Sequence, residues 1–374
     1  MKAVGLYKHL PIEDPQSLVD LDIQEPNHPT GHDLLVSIKA TSVNPLDTKV
    51  RRGTIPPPEN ENMPRILGWD AAGEVIAVGS DCTLFDKGDA VYYAGSITRP
   101  GTNCEFHLVD ERIVGKKPKS LSFEEAAAMP LTTITAWEAL YDRLGLDLNT
   151  LSSNTALLGT STSGDSDKNK RHFPSTILII GGAGGVGSIA IQLAKNLVID
   201  LSSSTSSPGI NVIATASRSE SIEWCKKMGA DYIIDHHKNL KSQIKEITGI
   251  DYADYIFCLN NTDGHFDSMK QLIAPQGKIC SIVETKTPVE MGGILRQKSV
   301  TFVWEVMFTR SLFQTYDMIE QHHLLNTVAD LIDSKKIKTT LTDLFTPISA
   351  EKLRNAHKKL ESGNTIGKIV LSGF

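Results

Sequence analysis

The stretch TILIIGGAGGVGSIAIQLAKNLV, residues 176–198, decides the fold. A short apolar run is followed by glycines in the spacing Gly-x-Gly-x-x-Gly and then by apolar residues at helical spacing. Such glycines allow a tight turn, a close approach of the backbone to a pyrophosphate, and close packing of the helix on the strand. This pattern predicts a dinucleotide site at a helix N-terminus, with a purely structural turn as the alternative. The residues of this predicted site, named the glycine turn below, are Gly182, Gly184, Gly185, Val186 and Gly187.

Strands and helices alternate after the glycine turn. The strands NVIATA, DYIID, DYIFCL and GKICSIV are separated by segments of helical character. This alternation predicts a doubly wound parallel sheet of the Rossmann type, an α/β fold, over residues 136–315, with right-handed crossovers. Two polar segments, 151–174 and 200–209, interrupt the pattern. We predict that both lie where strands begin, away from the edge that binds the cofactor.

The end of the second strand of this sheet decides which nicotinamide cofactor is preferred. An NAD site usually has Asp or Glu there, which accepts a hydrogen bond from the ribose 2′-hydroxyl. This chain has Ser217 and Arg218 instead. Arg218 can bind a 2′-phosphate through two hydrogen bonds, and Ser217 can donate another. We therefore predict NADP(H) as the cofactor; the alternative is that Arg218 is a surface arginine on the next helix.

The first third of the chain has a different pattern. LLVSIKATSV, GEVIAVGS, DAVYYAG and EFHLVDERIV read as strands with no long helices between them. They predict a compact, largely antiparallel, barrel-like β domain over residues 1–135. FEEAAAM and LTTITAWEALYDRL then read as two helices.

The composition is that of an ordinary globular protein with more than one domain. The chain has 374 residues, of which 40% are hydrophobic and 22% charged, and its formal net charge is −6. Because this charge is mild and well mixed, we expect neither nucleic acid nor a membrane as a partner. The chain has no apolar run of membrane-spanning length and no signal core, which predicts a cytoplasmic protein. Its five cysteines, none in a Cys-x-x-Cys pair, are expected to be reduced.

These motifs resemble the medium-chain dehydrogenase/reductase superfamily, and within it the quinone oxidoreductase branch with its zinc-type alcohol dehydrogenase-like proteins. The resemblance is carried, in the family's order, by SVNPLDTKVRRG, ILGWDAAGEV, GDAVYYAGSITRPGTNCEFHLVDERIV, LTTITAWEAL, GGAGGVG and GKIVLSGF. It implies a GroES-like catalytic domain, an inserted Rossmann domain, and a return to the catalytic domain over residues 316–374. It also implies a homo-oligomer, with a dimer favoured. SVTFVWEVMF is the candidate pairing segment, with a buried strand as the alternative.

The chain departs from the zinc enzymes of this superfamily at the metal ligands. Where those enzymes carry a cysteine and a histidine, this chain has Asn44 and Trp69. The cysteine-rich loop of the structural zinc is missing too, and Cys104 stands alone. Since zinc needs about four nitrogen, sulfur or oxygen ligands, we predict no metal site. The histidine pairs that read as surface pairs in loops or helices are His236-His237 and His322-His323.

Without a metal to polarise the substrate, hydride is delivered most easily to an acceptor activated by conjugation, such as a quinone or an α,β-unsaturated carbonyl. The resemblance implies that Asn44 and Asp47 line the substrate cleft, although a turn capped by Asp47 explains them equally well. Thr135 matches a threonine that contacts the nicotinamide, and Trp69 is expected to form an apolar wall. Further candidates, each with a structural alternative, are Lys49 as positive charge near the substrate oxygen, Tyr93 as a donor, and Lys368 at a cofactor phosphate.

Three functions are compatible with these residues. The favoured one is NADPH-dependent reduction of a small-molecule quinone or enone. The second is a zinc-dependent alcohol dehydrogenase that uses unexpected ligands. The third, from another class, is a non-catalytic NADPH-binding protein with a sensor or structural role, because binding alone would preserve the glycine turn.

Overall fold

The structure is a computed structural model that describes residues 1–55, 63–146, 175–196 and 210–374. The strands, in chain order, are β1 (Lys2–Leu6), β2 (Val19–Asp22), β3 (Asp33–Val43), β4 (Arg65–Ile66), β5 (Ala71–Val78), β6 (Ala90–Tyr93), β7 (Phe106–Asp110), β8 (Val114–Lys116), β9 (Thr176–Ile180), β10 (Asn211–Thr215), β11 (Tyr232–Ile234), β12 (Ala253–Cys258), β13 (Ile273–Ser281), β14 (Thr301–Trp304), β15 (Leu341–Phe345) and β16 (Lys368–Ser372).

The α-helices, in chain order, are α1 (Pro45–Arg51), α2 (Phe123–Ala127), α3 (Pro130–Trp137), α4 (Gly185–Asn196), α5 (Ser219–Met228), α6 (Leu240–Thr248), α7 (Thr262–Leu272), α8 (Gly293–Gln297), α9 (Thr309–Phe313), α10 (Glu320–Asp333) and α11 (Ala350–Glu361). A π-helical segment, Glu138–Arg143, continues α3.

These elements form two compact units. Unit 1 comprises Met1–Ile134 and Met307–Phe374, and unit 2 comprises Thr135–Val306. The predicted boundary after residue 135 lies beside this division, whereas the predicted boundary after residue 315 falls later than the division after Val306.

Unit 2 is built on a parallel sheet with the strand order β11-β10-β9-β12-β13-β14. All neighbouring strands in it run parallel. β9 is buried along its whole length, as expected for a central parallel strand that is covered on both faces. The order of the strands reverses between β9 and β12, which is where doubly wound sheets bind their ligands. The predicted Rossmann-type fold is therefore confirmed.

The last strand of this sheet, β14, pairs with β13 and forms an edge of the sheet. Within the candidate pairing segment, Trp304 and Val306 are exposed, with 43% and 52% of their surface accessible. Pairing of two copies through this edge stays a prediction.

Unit 1 is organised around β3, whose residues alternate between buried and half-buried before the strand becomes fully buried near its end. β3 pairs antiparallel with β5, β7 and β16 in a sheet of order β15-β16-β3-β5-β6-β8, and β1, β2 and β4 form a smaller sheet. Since β16 lies near the C-terminus, the chain returns to its N-terminal sheet to complete it. This arrangement agrees with the predicted β domain and with the implied C-terminal return.

The two polar segments predicted to interrupt the Rossmann sheet, 151–174 and 200–209, lie outside the described residues. All five cysteines lie within the described residues and are free thiols. No helix of the described part of the chain is long and apolar enough to cross a membrane.

Candidate functional site

The glycine turn links β9 to α4 at the carboxyl edge of the parallel sheet. A Cβ atom added at Gly187 would lie 2.5 Å from the carbonyl oxygen of Gly181 and 2.6 Å from that of Gly182. A Cβ atom at Gly182 would lie 2.7 Å from the Cβ of Ala214 on β10. Both positions therefore require glycine for close packing of the helix and of β10 against the turn.

Gly184 has a different environment. A Cβ atom there would find its nearest neighbour, the Gly181 carbonyl oxygen, at 3.7 Å, which is ordinary contact. Gly184, Gly185 and Val186 are half-exposed at the N-terminus of the twelve-residue helix α4. The open space and the helix N-terminus fit a pyrophosphate, which backbone N–H groups and the helix dipole can bind. The residues present thus fit a dinucleotide cofactor.

Side chains from neighbouring elements hold the glycine turn in place. Thr215, the last residue of β10, accepts the Gly181 N–H at its hydroxyl (2.9 Å) and the Gly182 N–H at its carbonyl (3.2 Å). On the other side, the Trp224 indole donates to the Ser188 hydroxyl (2.7 Å), which donates to the Gly184 carbonyl (2.7 Å). Sequence analysis missed these supporting roles because α5, which carries Trp224, meets α4 only in the folded chain.

Ser217 and Arg218 follow β10 after one intervening residue, Ala216, and lie at the same edge of the sheet as the glycine turn. Ser217 is half-exposed and Arg218 is exposed at the start of α5, where the Arg218 backbone N–H donates to Ser221 (3.2 Å). The four residues from Thr215 to Arg218 include no Asp or Glu, so this strand end contains no carboxylate. Ser217 and Arg218 thus follow the strand that pairs with β9, and β9 leads into the glycine turn.

A buried ionic network lies in unit 1 around Asp70, which is fully buried just before β5. Lys368, at the start of β16, donates from Nζ to Asp70 Oδ2 at 2.9 Å, and only 4% of its side chain is exposed. Its ammonium also donates to the carbonyl of Val43 (3.2 Å) and to the side-chain oxygen of Asn44. This placement contradicts the predicted contact of Lys368 with a cofactor phosphate, because the ammonium is buried and already engaged by three oxygens.

The other donors to the Asp70 carboxylate come from three separate elements. Oδ2 accepts the Ser42 hydroxyl (2.7 Å) and the Asn44 amide (2.8 Å), and Oδ1 accepts the Leu131 N–H (2.8 Å). A buried carboxylate needs such compensation, since an unpaired charge in the interior is strongly unfavourable. Asp70 was not among the predicted site residues, although it directly follows Trp69, which stands where the zinc enzymes carry a histidine.

Asn44 and Asp47 form the N-terminal end of α1. The carboxylate of Asp47 accepts the Asn44 backbone N–H at 2.7 Å, and both residues are buried. The alternative interpretation, a turn capped by Asp47, is therefore confirmed. Because the Asn44 side chain is held by Asp70 and Lys368, the predicted donation from Asn44 to a substrate carbonyl is not supported.

Burial raises the pKa of Asp47 from 3.8 to about 7. The negative charge of Asp70 acts in the same direction, while the Asn44 N–H and the Lys368 ammonium oppose it. The folded state thus prefers the protonated acid at pH values where the unfolded chain is ionised. Asp47 consequently costs stability as the pH rises.

We expect Asp47→Asn to gain stability relative to the wild type as the pH rises. The folded-state pKa of the acid is raised, so the cost is absent below about pH 4, grows up to about pH 7 and is constant above it, reaching a few kcal/mol. Urea denaturation of both proteins across this range would measure the effect. Asp22→Asn, at a surface carboxylate whose side chain is 95% exposed, is the matched control. Parallel stability profiles for Asp47→Asn and the wild type would contradict the assignment.

The remaining predicted side chains of unit 1 have structural partners. Trp69 is buried; its indole N–H donates to the Ser96 carbonyl (3.3 Å), and its ring packs edge-on against Phe308. The Tyr93 hydroxyl donates to His107 Nδ1 (3.0 Å), whose pKa burial lowers to about 4. Tyr93 is thus a packed tyrosine of the sheet, and its predicted role as a donor to substrate is not supported.

Lys49 is exposed on α1, which agrees with the solvated alternative. Thr135 is buried in α3, and its contact with a nicotinamide stays a prediction. His322 corrects another expectation: it is buried, with Nδ1 2.7 Å from the Val114 carbonyl, whereas its neighbour His323 is exposed as predicted.

The donor set at the ligand positions does not fit zinc. Asn44 and Trp69 have their polar atoms in hydrogen bonds to protein, and an indole offers no lone pair to a metal. Burial raises the pKa of the Cys104 thiol to about 12, and its Sγ lies 3.2 Å from the Phe106 carbonyl. Among the described residues, no group of three or more His, Cys, Asp or Glu side chains is placed to hold a metal ion.

Comparison with known proteins bears on these two units. The family described as "Alcohol dehydrogenase GroES-like domain" matches residues 30–130, and the family described as "Zinc-binding dehydrogenase" matches residues 228–371. A zinc-type alcohol dehydrogenase-like protein of Staphylococcus aureus (strain COL) is 40% identical over 372 residues, covering 100% of both chains.

Two solved structures have the same fold. A proposed zinc-dependent alcohol dehydrogenase protein from Rhizobium etli CFN 42 superposes with a TM-score of 0.85 at 47% identity, covering 100% of this chain and 98% of that one. The Escherichia coli quinone oxidoreductase complexed with NADPH superposes with a TM-score of 0.75 at 26% identity, covering 100% of both chains.

Proposed function

Since the chain belongs to the medium-chain dehydrogenase/reductase superfamily, in its quinone oxidoreductase branch, we propose that it is a zinc-independent, NADPH-dependent reductase of quinones or α,β-unsaturated carbonyls. Membership of this superfamily supports an oxidoreductase.

The main support for the proposal is that the two side chains at the positions of zinc ligands are engaged in contacts within the protein. Asn44 is locked by Asp70 and Lys368, and Trp69 is packed on Phe308. A zinc enzyme polarises the substrate oxygen with its metal as a Lewis acid. These side chains cannot polarise the substrate oxygen as a metal does. The substrate must therefore be electrophilic without a metal, as a conjugated carbonyl is. Some relatives have zinc in their names, but Asn44 and Trp69 are not zinc ligands, so we do not propose a zinc site for this chain.

A conjugated acceptor satisfies this requirement. When bound, the reduced nicotinamide supplies the hydride, and the protein's task is to bind and orient the reactants. The negative charge that develops on a quinone or enone is delocalised to an oxygen, which water can protonate. The reaction therefore needs neither a zinc ligand set nor a buried general acid from this chain.

The chain's own residues account for cofactor binding. The glycine turn leaves room for the pyrophosphate at the N-terminus of α4, and Thr215 holds the turn against β10. Arg218 and Ser217 lie where the adenosine ribose is bound in doubly wound sheets. A guanidinium there favours a 2′-phosphate, whereas the carboxylate of an NAD site would repel it. This arrangement supports NADPH over NADH.

The test is turnover of NADPH and NADH with a panel of quinones and enones, for the wild type and Arg218→Ala. We expect the wild type to prefer NADPH, and we expect Arg218→Ala to raise KM for NADPH about tenfold to hundredfold, with little change for NADH. Arg296→Ala, at another exposed arginine of unit 2, is the matched control and should behave like the wild type.

Three outcomes would contradict the proposal. Full retention of NADPH preference in Arg218→Ala would remove the phosphate assignment. One stoichiometric, chelator-sensitive zinc in the purified protein would favour the alcohol dehydrogenase alternative. Tight NADPH binding without turnover of any acceptor in the panel would favour a non-catalytic sensor or structural role.

A further inference from the structure

A polar cavity of about 470 Å³ lies within unit 2, beside the cofactor edge of the parallel sheet. Its walls are the segment that follows β11, the segment that follows β12, and the helices α6 and α7. None of the residues of the proposed cofactor site described above lines it. The cavity is therefore a candidate binding site separate from the proposed cofactor residues.

Cationic and hydrogen-bond-donating side chains dominate the walls. His236 and His237 have ring centres 4.2 Å apart, and the ring of His265 from α7 stands 6.5 Å from His236, edge to face. Lys238 and Lys241 add two ammonium groups. No Asp or Glu is among the residues that line the cavity in the described part of the chain. Such a lining attracts an anion and has no carboxylate of its own to occupy it.

Acidic residues close to the cavity pair with both of its lysines. Asp235 accepts the His237 backbone N–H (2.9 Å) and lies 4.0 Å from the Lys238 ammonium. Asp251 pairs with Lys241 at 3.4 Å. The acids of α7 are engaged elsewhere, Asp263 by the backbone N–H groups of Lys286 and Thr287 and Asp267 by Lys270. The three imidazoles thus remain as the groups whose charge an anion could stabilise.

Two helix N-termini adjoin this cavity, and one residue of its wall lies close to Gly181. The first residues of α6 and the residues around the start of α7 line it, and the caps Asn239 and Asn261 use their side-chain oxygens on helix N–H groups. Their amide NH2 groups are left as donors. Asn260, also in the wall, has its Cγ 3.5 Å from where a Cβ of Gly181 would lie.

We propose that this cavity binds a phosphate dianion through the His236, His237 and His265 side chains together with its two lysines. Imidazolium and ammonium groups make short, charge-assisted hydrogen bonds to phosphate oxygens. Two sources present this chemistry. The 2′-phosphate of NADP is proposed to bind at Ser217 and Arg218, which do not line this cavity, so the ligand inferred for the cavity is the other source, a free phosphate ion or a phosphate monoester.

Binding should strengthen as the pH falls. Burial lowers the pKa of His236 and of His265, and a further lowering comes from His237 at His236 and from His236 at His265, because adjacent positive charges repel. A bound phosphate dianion raises the pKa of these imidazoles because it stabilises their positive charge. The histidines are therefore expected to take up protons when the anion binds. Asp235 is the carboxylate that favours the charged form of His236 before the anion arrives.

The test is calorimetric titration of the full-length protein with inorganic phosphate at about pH 6 and about pH 8, on either side of the ordinary histidine pKa. We expect saturable binding whose dissociation constant, expressed for the phosphate dianion because less of the ligand is dianionic at the lower pH, is smaller at about pH 6 than at about pH 8. We expect the double variant His236→Gln/His265→Gln to bind about tenfold more weakly, the equivalent of one charge-assisted hydrogen bond. His323→Gln, at an exposed histidine of unit 1, is the control and should match the wild type. A thermal melt of each variant verifies folding.

Two further titrations identify the source. If NADPH excludes inorganic phosphate and the double variant loses affinity for NADPH but not for NADH, the cavity binds the 2′-phosphate of the cofactor, and the inference of a separate phosphate site is overturned. If phosphate still binds to the NADPH-saturated protein, the site serves a free phosphate or monoester. Absence of phosphate binding to the wild type, or equal binding to the folded double variant, would overturn the inference. Failure of the proposed function would show differently, as absence of turnover with quinones and enones.

Discussion

Lys368→Met should lower the free energy of unfolding by about 3–5 kcal/mol, the usual cost of removing one partner of a buried ion pair. The substitution leaves the Asp70 carboxylate charged and fully buried, with the Ser42, Asn44 and Leu131 donors but no cation. Methionine has nearly the length of lysine, so the loss reports the missing charge more than a cavity. Denaturant unfolding monitored by circular dichroism measures the change.

Two further variants separate the charge effect from a packing effect. Asp70→Asn/Lys368→Met removes both charges and should be less destabilised than Lys368→Met alone, because no uncompensated charge remains. Lys358→Met, at an exposed lysine of α11 in the same unit, should change stability by less than about 0.5 kcal/mol. Equal free energies of unfolding for Lys368→Met and Lys358→Met would show that the Lys368 ammonium is not needed to stabilise the buried Asp70 carboxylate.

The parts of the fold that sequence analysis predicted well are those with local signals. β9, the glycine turn and α4 follow one another within about twenty residues, and a recognisable Ser-Arg pair lies just after β10. The segment LTTITAWEALYDRL was read as one helix, whereas α3 passes into the π-helical segment Glu138–Arg143. A π-helical turn inserts a residue into the helical ladder without a distinctive residue type, so the sequence offered no sign of it.

The ionic network of unit 1 had no local signal. Asp70 and Lys368 are 298 residues apart, and lysine is usually a surface residue, so no window of sequence brings them together. Sequence analysis could place Asn44 and Asp47 in a turn because they are three residues apart. It could not show that the Asn44 amide is held between a buried acid and a buried ammonium.

Glu305, in unit 2, is another buried charged residue whose partners could not be predicted from the sequence. It stands in the segment SVTFVWEVMF, which sequence analysis treated as a pairing strand, yet it is buried with Oε2 2.8 Å from Arg143 Nε. Burial, followed by the neighbouring Glu138, raises the pKa of Glu305 to about 9. Pairs of buried carboxyls arise from tertiary packing, and an apolar stretch with one acid gives no indication of its partner.

Gly187→Ala should abolish NADPH binding and destabilise unit 2, whereas Gly184→Ala should weaken binding and leave stability intact. A Cβ at position 187 would lie 2.5 Å and 2.6 Å from two backbone carbonyl oxygens, which cannot yield without moving the start of α4 away from β9. Overpacking of this kind costs about 1–3 kcal/mol, and the displaced N–H groups should reduce the affinity for NADPH about a hundredfold or more.

At Gly184 the nearest atom to a Cβ is 3.7 Å away, so alanine fits the ligand-free fold and removes some chain entropy from the unfolded state. Its methyl group occupies the space through which a pyrophosphate approaches the backbone, so the affinity for NADPH should fall about tenfold while the melting temperature stays within a few degrees. The two alanine variants are each other's control, measured by NADPH fluorescence titration and thermal melting. Equal NADPH affinity in Gly184→Ala and the wild type would mean that the open side of the turn does not face the cofactor, and the assignment of the glycine turn to a dinucleotide would then fail.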